Sequence, residues 1–186
     1  MITTTHVVTN AFLALRNKGD VPSVLNSGSA KWFVAGGIAP DVGLYVLSAG
    51  AAVYFPLVKG WTVQESLQHA FETLFFEDRY WLAIHNTFHS PVVLVALAGF
   101  AKLTGRKRLL AFAAGCLLHT VMDIPVHHDD GPLVFFPLDW ETRVMSPVSY
   151  WDRDHFAKYV APVDYAVTVL GGAALVRTWL KNRRSS

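Results

Sequence analysis

Long hydrophobic runs, separated by short polar or glycine-containing breaks, make up most of the chain. Residues 80–101 contain no Asp, Glu, Lys or Arg over 22 positions, and residues 42–58 contain none over 17. These runs approach the roughly 20 apolar residues that a helix needs to cross a bilayer. Strict alternation of apolar and polar residues, typical of a half-buried strand, does not stand out. The pattern predicts helices over residues 6–18, 22–35, 41–59, 62–78, 80–103, 107–124 and 159–184.

The composition favours a membrane environment. The chain is 52% hydrophobic and 16% charged, whereas soluble domains are about 25% charged, so much of the surface must face something other than water. Its 186 residues contain no linker and predict one domain over residues 1–186. We therefore expect an all-α, membrane-embedded bundle of about five to seven helices. A soluble helical bundle with a basic end is the alternative.

Charge placement adds a prediction of topology. If the helices alternate in direction, 11 of the 16 basic residues, such as Lys59, Lys102 and Arg177, lie at the ends opposite to the histidines. The positive-inside rule then predicts a multi-pass protein of the inner, cytoplasmic membrane, with its basic pole in the cytoplasm and its histidine pole towards the outer face. The net charge of +2 and the lack of a basic stripe exclude nucleic acid as an expected partner.

Two residues near the end of one predicted helix have the spacing of a metal-binding pair. His119 and Asp123 are four residues apart and share a helical face, and Pro125 ends the helix just beyond them. Imidazole and carboxylate suit Zn²⁺ or a similar divalent ion, and a helix C-terminus favours a cation. An isolated pair of this kind is more often a hydrogen-bonded pair in a core, so the prediction depends on the other residues at the same pole.

Under the alternating arrangement, further candidate ligands from separate segments fall at this pole. His85 and His89 are also four residues apart, just before Pro91, which starts or kinks the following helix. We expect one to three divalent ions, most simply zinc. The single cysteine, Cys116, excludes Cys-based zinc sites and an intramolecular disulfide. The predicted ligands are His6, Asp41, His85, His89, His119, Asp123 and His127.

The longest connection, residues 126–158, is predicted to be an irregular lid over this pole. It carries many polar groups and the apolar anchors Phe135, Phe136, Trp140 and Trp151, which argue for an ordered loop. If the ions activate a water molecule, the candidate general bases are Asp130, Asp129 and His128. Spacing alone does not choose among them.

The order of these short motifs resembles the YdjM/YbcI-like family of inner-membrane metal-dependent hydrolases and, more distantly, the helical zinc-dependent phospholipase C group. The family commonly has a basic residue after the first paired histidine, where this chain has Asn86. The motifs are Thr5-His6, residues 36–41 (GGIAPD), residues 85–90 (HNTFHS), His119 with Asp123, Gly131, and Phe136-Pro137.

The resemblance implies a membrane-associated hydrolase that uses a metal-activated water on a phosphodiester or ester, with a membrane lipid or a lipid-like phosphoester as the expected substrate. A non-catalytic helical membrane protein with a structural metal site is the alternative. A metal-transport bundle is a third interpretation, but the apolar runs at residues 92–101 and 109–118 offer no polar path. The oligomeric state is left open.

Overall fold

The computed structural model describes residues 1–16 and 28–184. The all-α prediction is confirmed: the structure is 74% helical, with no strands in the described part of the chain. A π-helical turn, Ala70–Leu74, joins α4 to α5. The long connection between α8 and α9 contains two 3-10 turns, Ile124–Val126 and Arg153–His155. The α-helices are α1 Thr3–Arg16, α2 Ala30–Gly36, α3 Ala39–Lys59, α4 Val63–His69, α5 Phe75–Glu77, α6 Arg79–Asn86, α7 Pro91–Leu103, α8 Lys107–Asp123 and α9 Ala157–Arg184.

Two predicted helices differ from the observed ones. The helix predicted over residues 22–35 appears in the described residues only as α2, and its earlier part lies outside them. The helix predicted over residues 80–103 consists of α6 and α7, which are bent by 46°. Ser90 is extended, and its side chain accepts a hydrogen bond from the Val93 amide. Pro91 lacks an amide hydrogen and therefore begins α7 rather than continuing α6.

The predicted amphipathic segment of residues 62–78 forms α4, the π turn and α5 in succession. A capping box fixes its start: the Glu65 amide donates to Thr62 Oγ1 (3.1 Å) and the Thr62 amide donates to Glu65 Oε2 (2.7 Å). The segment packs against α3 and α6 through a buried cluster of Ala51, Ala70 and Trp81. One side of the segment is thereby fixed to the bundle.

Helices α2 and α8 approach each other closely through two glycines. A Cβ atom on Gly115 would lie 2.1 Å from the carbonyl oxygen of Phe33, and one on Gly36 would lie 2.4 Å from that of Phe112. The Asn10 side chain of α1 donates hydrogen bonds to the carbonyl oxygens of Phe33 (2.9 Å) and Gly115 (3.3 Å). One buried amide therefore ties α1, α2 and α8 together.

Within residues 1–16 and 28–184, three helical segments are long and apolar enough to cross a membrane: Ala39–Lys59, Lys107–Val126 and Ala157–Lys181. The bent pair α6 and α7 would make a fourth if it is one span. Contacts of Asp41 and Asp123 with His89 place the starts of α3 and α7 beside the end of α8. The apolar helices thus have polar residues gathered at one shared end, which is consistent with membrane association.

The contact between α2 and α8 gives the first testable prediction. Gly115→Ala should lower the free energy of unfolding by about 1–3 kcal/mol, because the new methyl group overlaps a backbone carbonyl that has no room to move. Gly99→Ala in α7 is the matched control, since nothing lies within 4 Å of its Cβ position, and it should not destabilise the protein. Denaturant titration in detergent measures both. Equal stability of the two variants would contradict the described packing.

Candidate metal centre

Five of the seven predicted ligands come together at the shared helix ends. They form two overlapping groups, His6 with His119 and Asp123, and Asp41 with His89 and His119. Within each group the candidate ligand atoms all lie within 4.8 Å of one another. The residues come from α1, α3, α8 and the turn after α6, so tertiary folding rather than one local motif builds the cluster.

The aspartate oxygens approach two of the histidine nitrogens at distances close to those between ligands of one metal ion. Asp41 Oδ1 lies 3.5 Å from His119 Nε2 and 3.6 Å from His89 Nε2. Asp123 Oδ2 lies 3.0 Å from His119 Nε2 and 3.7 Å from His89 Nε2. Nitrogen or oxygen ligands around tetrahedral zinc, at about 2.0–2.1 Å from the ion, are separated by roughly 3.3–3.4 Å. The four aspartate–histidine distances lie close to this separation.

Several histidine nitrogens in the cluster are buried without a hydrogen-bond partner. Nε2 of His119 and both ring nitrogens of His6 make no hydrogen bond within the described residues. Each Nε2 is nevertheless 3.0 Å from an oxygen of Asp123. These atoms are close to the carboxylate but not directed along a hydrogen bond. Buried polar atoms normally have a hydrogen-bond partner. A metal ion bound between the two Nε2 atoms and Asp123 would supply the missing partner.

Backbone carbonyls fix the orientation of two of the rings. His119 Nδ1 donates to the carbonyl oxygen of Gly37 (3.1 Å), and His89 Nδ1 donates to that of His85 (2.9 Å). A carbonyl oxygen only accepts, so Nδ1 carries a proton and Nε2 is the ring nitrogen left for a metal ion to bind. This is the usual second interaction of a metal-binding histidine.

The two oxygens of Asp123 face different histidines. Oδ2 faces His119 and His89, whereas Oδ1 lies 3.0 Å from His6 Nε2 and 3.5 Å from His127 Nε2. Burial lowers the pKa of His6 despite its contact with Asp123, which keeps the ring neutral and able to bind a metal. Asp123 therefore lies beside histidines of both ligand groups, and the groups themselves overlap at His119.

A carboxylate on α9, Asp164, holds α1 in position although it lies outside the cluster. Thr5 Oγ1 donates to Asp164 Oδ1 (2.5 Å) and the Ile2 amide donates to Oδ2 (2.8 Å). Asp164 is only 3% exposed, and Thr5 precedes His6. In the sequence Asp164 was only an interruption of an apolar run. A carboxylate inside such a helix needs internal partners, and that signal could have identified this anchor.

The lid contributes a paired histidine and carboxylate. His127 Nδ1 is 3.1 Å from Asp130 Oδ2, which also accepts a hydrogen bond from Trp151 Nε1 (2.7 Å). Burial disfavours the charged ring, but contacts with Asp123 and Asp130 outweigh it and raise the pKa of His127. Burial likewise opposes ionisation of Asp130, yet contacts with His127 and Trp151 lower its pKa, so it remains a carboxylate.

Two predicted site residues lie apart from the ligand groups. His85 belongs to neither group; its ring packs on His89, with centroids 4.3 Å apart, and on Phe75 at 5.0 Å. His128 donates from Nδ1 to the carbonyl oxygen of Ser146 (2.6 Å) and stacks on His155 at 3.5 Å. His85 lines the cavity described below, whereas His128 is not among its lining residues.

The lid is anchored beside the site by Asn86 and Ser90. Asn86 Oδ1 accepts a hydrogen bond from the Leu133 amide (2.7 Å), and Ser90 Oγ donates to the carbonyl oxygen of Phe136 (2.5 Å). Leu133 and Phe136 are buried with Leu82 of α6. Asn86 therefore has a definite role here, which is to hold the lid.

A cavity of about 990 Å³ opens onto the cluster. Its lining includes Asp41, His89 and Asp123 from the ligand groups, and Asp129 and Asp130 from the lid. The segment that contains the π turn also lines the cavity, and its Phe75 and Phe76 contact Arg143 of the lid. A substrate entering the cavity would reach the candidate ligands and the lid carboxylates together.

The described part of the chain thus defines an all-α protein with apolar helices of membrane-spanning length and a buried His/Asp group that could hold a metal ion. Comparison with protein-family models, curated proteins and solved structures finds no match to this chain. The functional argument therefore depends on the site itself.

Metal content tests the candidate site. Asp123→Asn should lower the bound zinc, manganese or iron in protein purified without a histidine tag or chelator, because the variant removes a charge that faces both ligand sets. Asp154→Asn, on the exposed part of the lid, is the matched control and should keep its metal. Inductively coupled plasma mass spectrometry measures both. Unchanged metal in Asp123→Asn would place this residue outside the site.

Proposed function

We propose that the protein is a membrane-embedded, metal-dependent hydrolase of a phosphodiester or carboxylic ester. One observation carries this proposal: the cavity opens directly onto the His/Asp group and is also lined by the lid carboxylates Asp129 and Asp130. The resemblance to the YdjM/YbcI-like family points to the same class. By that resemblance and the charge distribution, we place the protein in the inner membrane with its basic pole in the cytoplasm.

His6, Asp41, His89, His119 and Asp123 would hold the metal, with His127 beside them. Zinc is the first choice because the donors are imidazole nitrogens and carboxylate oxygens. A bound divalent ion supplies Lewis acidity, which lowers the pKa of water towards about 7 and stabilises negative charge on an ester oxygen. Because Asp123 faces two sets of nitrogens, we expect up to two ions.

Asp130 is the proposed proton acceptor. It lines the cavity and remains ionised, and its Oδ1 is buried without a hydrogen-bond partner in the described structure. Its Oδ2 is held by Trp151 and by contact with His127, so the carboxylate has a fixed orientation. Asp129 also lines the cavity, whereas His128 is bonded to the lid backbone. These placements favour Asp130 over the other two candidates.

The alternative, a purely structural metal, is opposed by access to the site. Structural zinc sites are closed, whereas catalytic sites keep an open position. Asp41, His89 and Asp123 all line a large cavity, and the side chain of Asp41 is 17% exposed. A cluster that served only to join helices would not need such an opening.

Hydrolysis of chromogenic substrates tests the proposal. The metal-loaded protein should hydrolyse para-nitrophenyl acetate or bis(para-nitrophenyl) phosphate, and removing the metal with a chelator should abolish turnover. Asp130→Asn should retain its metal and lower kcat by about 10²–10⁴-fold, as expected for loss of a general base. Asp154→Asn should keep the wild-type rate.

Two outcomes would contradict the proposal. If the metal-loaded wild type hydrolyses neither substrate class, the structural-metal alternative is favoured. If Asp130→Asn retains full activity, the proton acceptor is a different group.

A further inference from the structure

The cavity continues beyond the His/Asp group along the segment formed by α4, the π turn and α5. Its lining runs from Gln64 to Phe76, which at about 1.5 Å per residue corresponds to a length of about 18 Å. This is far longer than a small ester or phosphodiester needs. We call this part of the cavity the α4–α5 groove.

One edge of the α4–α5 groove is apolar and partly exposed, although the guanidinium of the lid residue Arg143 lies over the Phe76 ring, 5.5 Å from its centroid. Phe71 is 44% exposed and Phe76 is 40% exposed, although both line the cavity. Leu67 lies one helical turn before Phe71, and Leu44 of α3 lines the cavity near Asp41. Large aromatic surfaces gain stability when they are covered, so this edge fits an apolar occupant.

The opposite edge is polar but internally satisfied. Gln64, Gln68 and Glu72 follow one another at four-residue intervals, and Gln68 Nε2 donates to both carboxylate oxygens of Glu72 (3.1 Å each). This pair does not need polar groups from a ligand. An occupant can therefore be apolar along the groove while its polar group lies at the His/Asp group.

We infer that the substrate is an amphiphile whose hydrocarbon chain lies in the α4–α5 groove while its ester or phosphoester group sits at the His/Asp group. The inference rests on the proposed function for the identity of the polar group. The length and the apolar edge of the groove are the observations that indicate a hydrocarbon chain on the substrate. Helices of membrane-spanning length would hold the protein where such amphiphiles are found.

A groove-filling variant tests the inference through chain-length preference. Leu67→Trp places a larger side chain in the groove, and it should lower kcat/KM at least tenfold for para-nitrophenyl palmitate while changing that for para-nitrophenyl acetate less than twofold. Leu57→Trp is the matched control: Leu57 is 80% exposed on α3 and does not line the cavity. It should behave as wild type on both esters, measured in the same detergent.

Cross-linking tests the position of the chain without relying on hydrolysis. A hexadecylphosphonate with a diazirine at the far end of its chain should label residues between Gln64 and Phe71, and Leu67→Trp should reduce that labelling. Labelling spread over the outer faces of α3 and α9 would show general contact with lipid and overturn the inference.

The two readouts separate failure of the inference from failure of the proposed function. If Leu67→Trp affects hydrolysis of the acetyl and palmitoyl esters equally and the labelling is dispersed, the proposed hydrolase activity stands and the proposed chain site is wrong. Labelling confined to the groove in a protein that hydrolyses neither ester would retain the chain site and overturn the hydrolase.

Discussion

The buried carboxylate of Asp123 is the constraint on which the polar end of this protein depends. It is 3% exposed at the end of an apolar helix, and an uncompensated charge in such a place costs several kcal/mol. Histidines from α1, the turn after α6 and α8 surround it. The Met1 ammonium group donates a hydrogen bond to Asp123 Oδ1 at 2.7 Å, and a metal ion would in addition satisfy the unpartnered ring nitrogens of His6 and His119.

The rest of the structure brings these groups to one place. The glycine contact between α2 and α8 sets the backbone so that the Gly37 carbonyl meets His119, and Asp164 on α9 fixes the start of α1 beside His6. Asn86 holds the lid, and the lid carboxylates of Asp129 and Asp130 line the cavity. Much of the polar chemistry outside the cluster thus serves to position the groups within it.

The helices and the pole at which the histidines gather were largely predictable from the sequence. Apolar runs mark the helices, and helices that alternate in direction place particular helix ends at the same pole. The pairing of His119 with Asp123 follows from four-residue spacing in a continuous helix. The same rule predicted His85 and His89 as equivalent ligands, but α6 ends at Asn86. His89 lies in the following turn, and its ring still packs on that of His85, but only His89 belongs to a ligand group. The roles within the lid and the π turn beside the groove depend on tertiary contacts that spacing does not encode.

The central claim is that these histidines and aspartates bind a metal ion directly. X-ray absorption at the zinc edge, on wild-type protein reconstituted with zinc, tests it most directly. The account predicts a first shell of only nitrogen and oxygen at about 2.0–2.2 Å, with outer-shell scattering from at least two imidazoles. No stoichiometric zinc after reconstitution, or a shell without imidazole scattering, would contradict it.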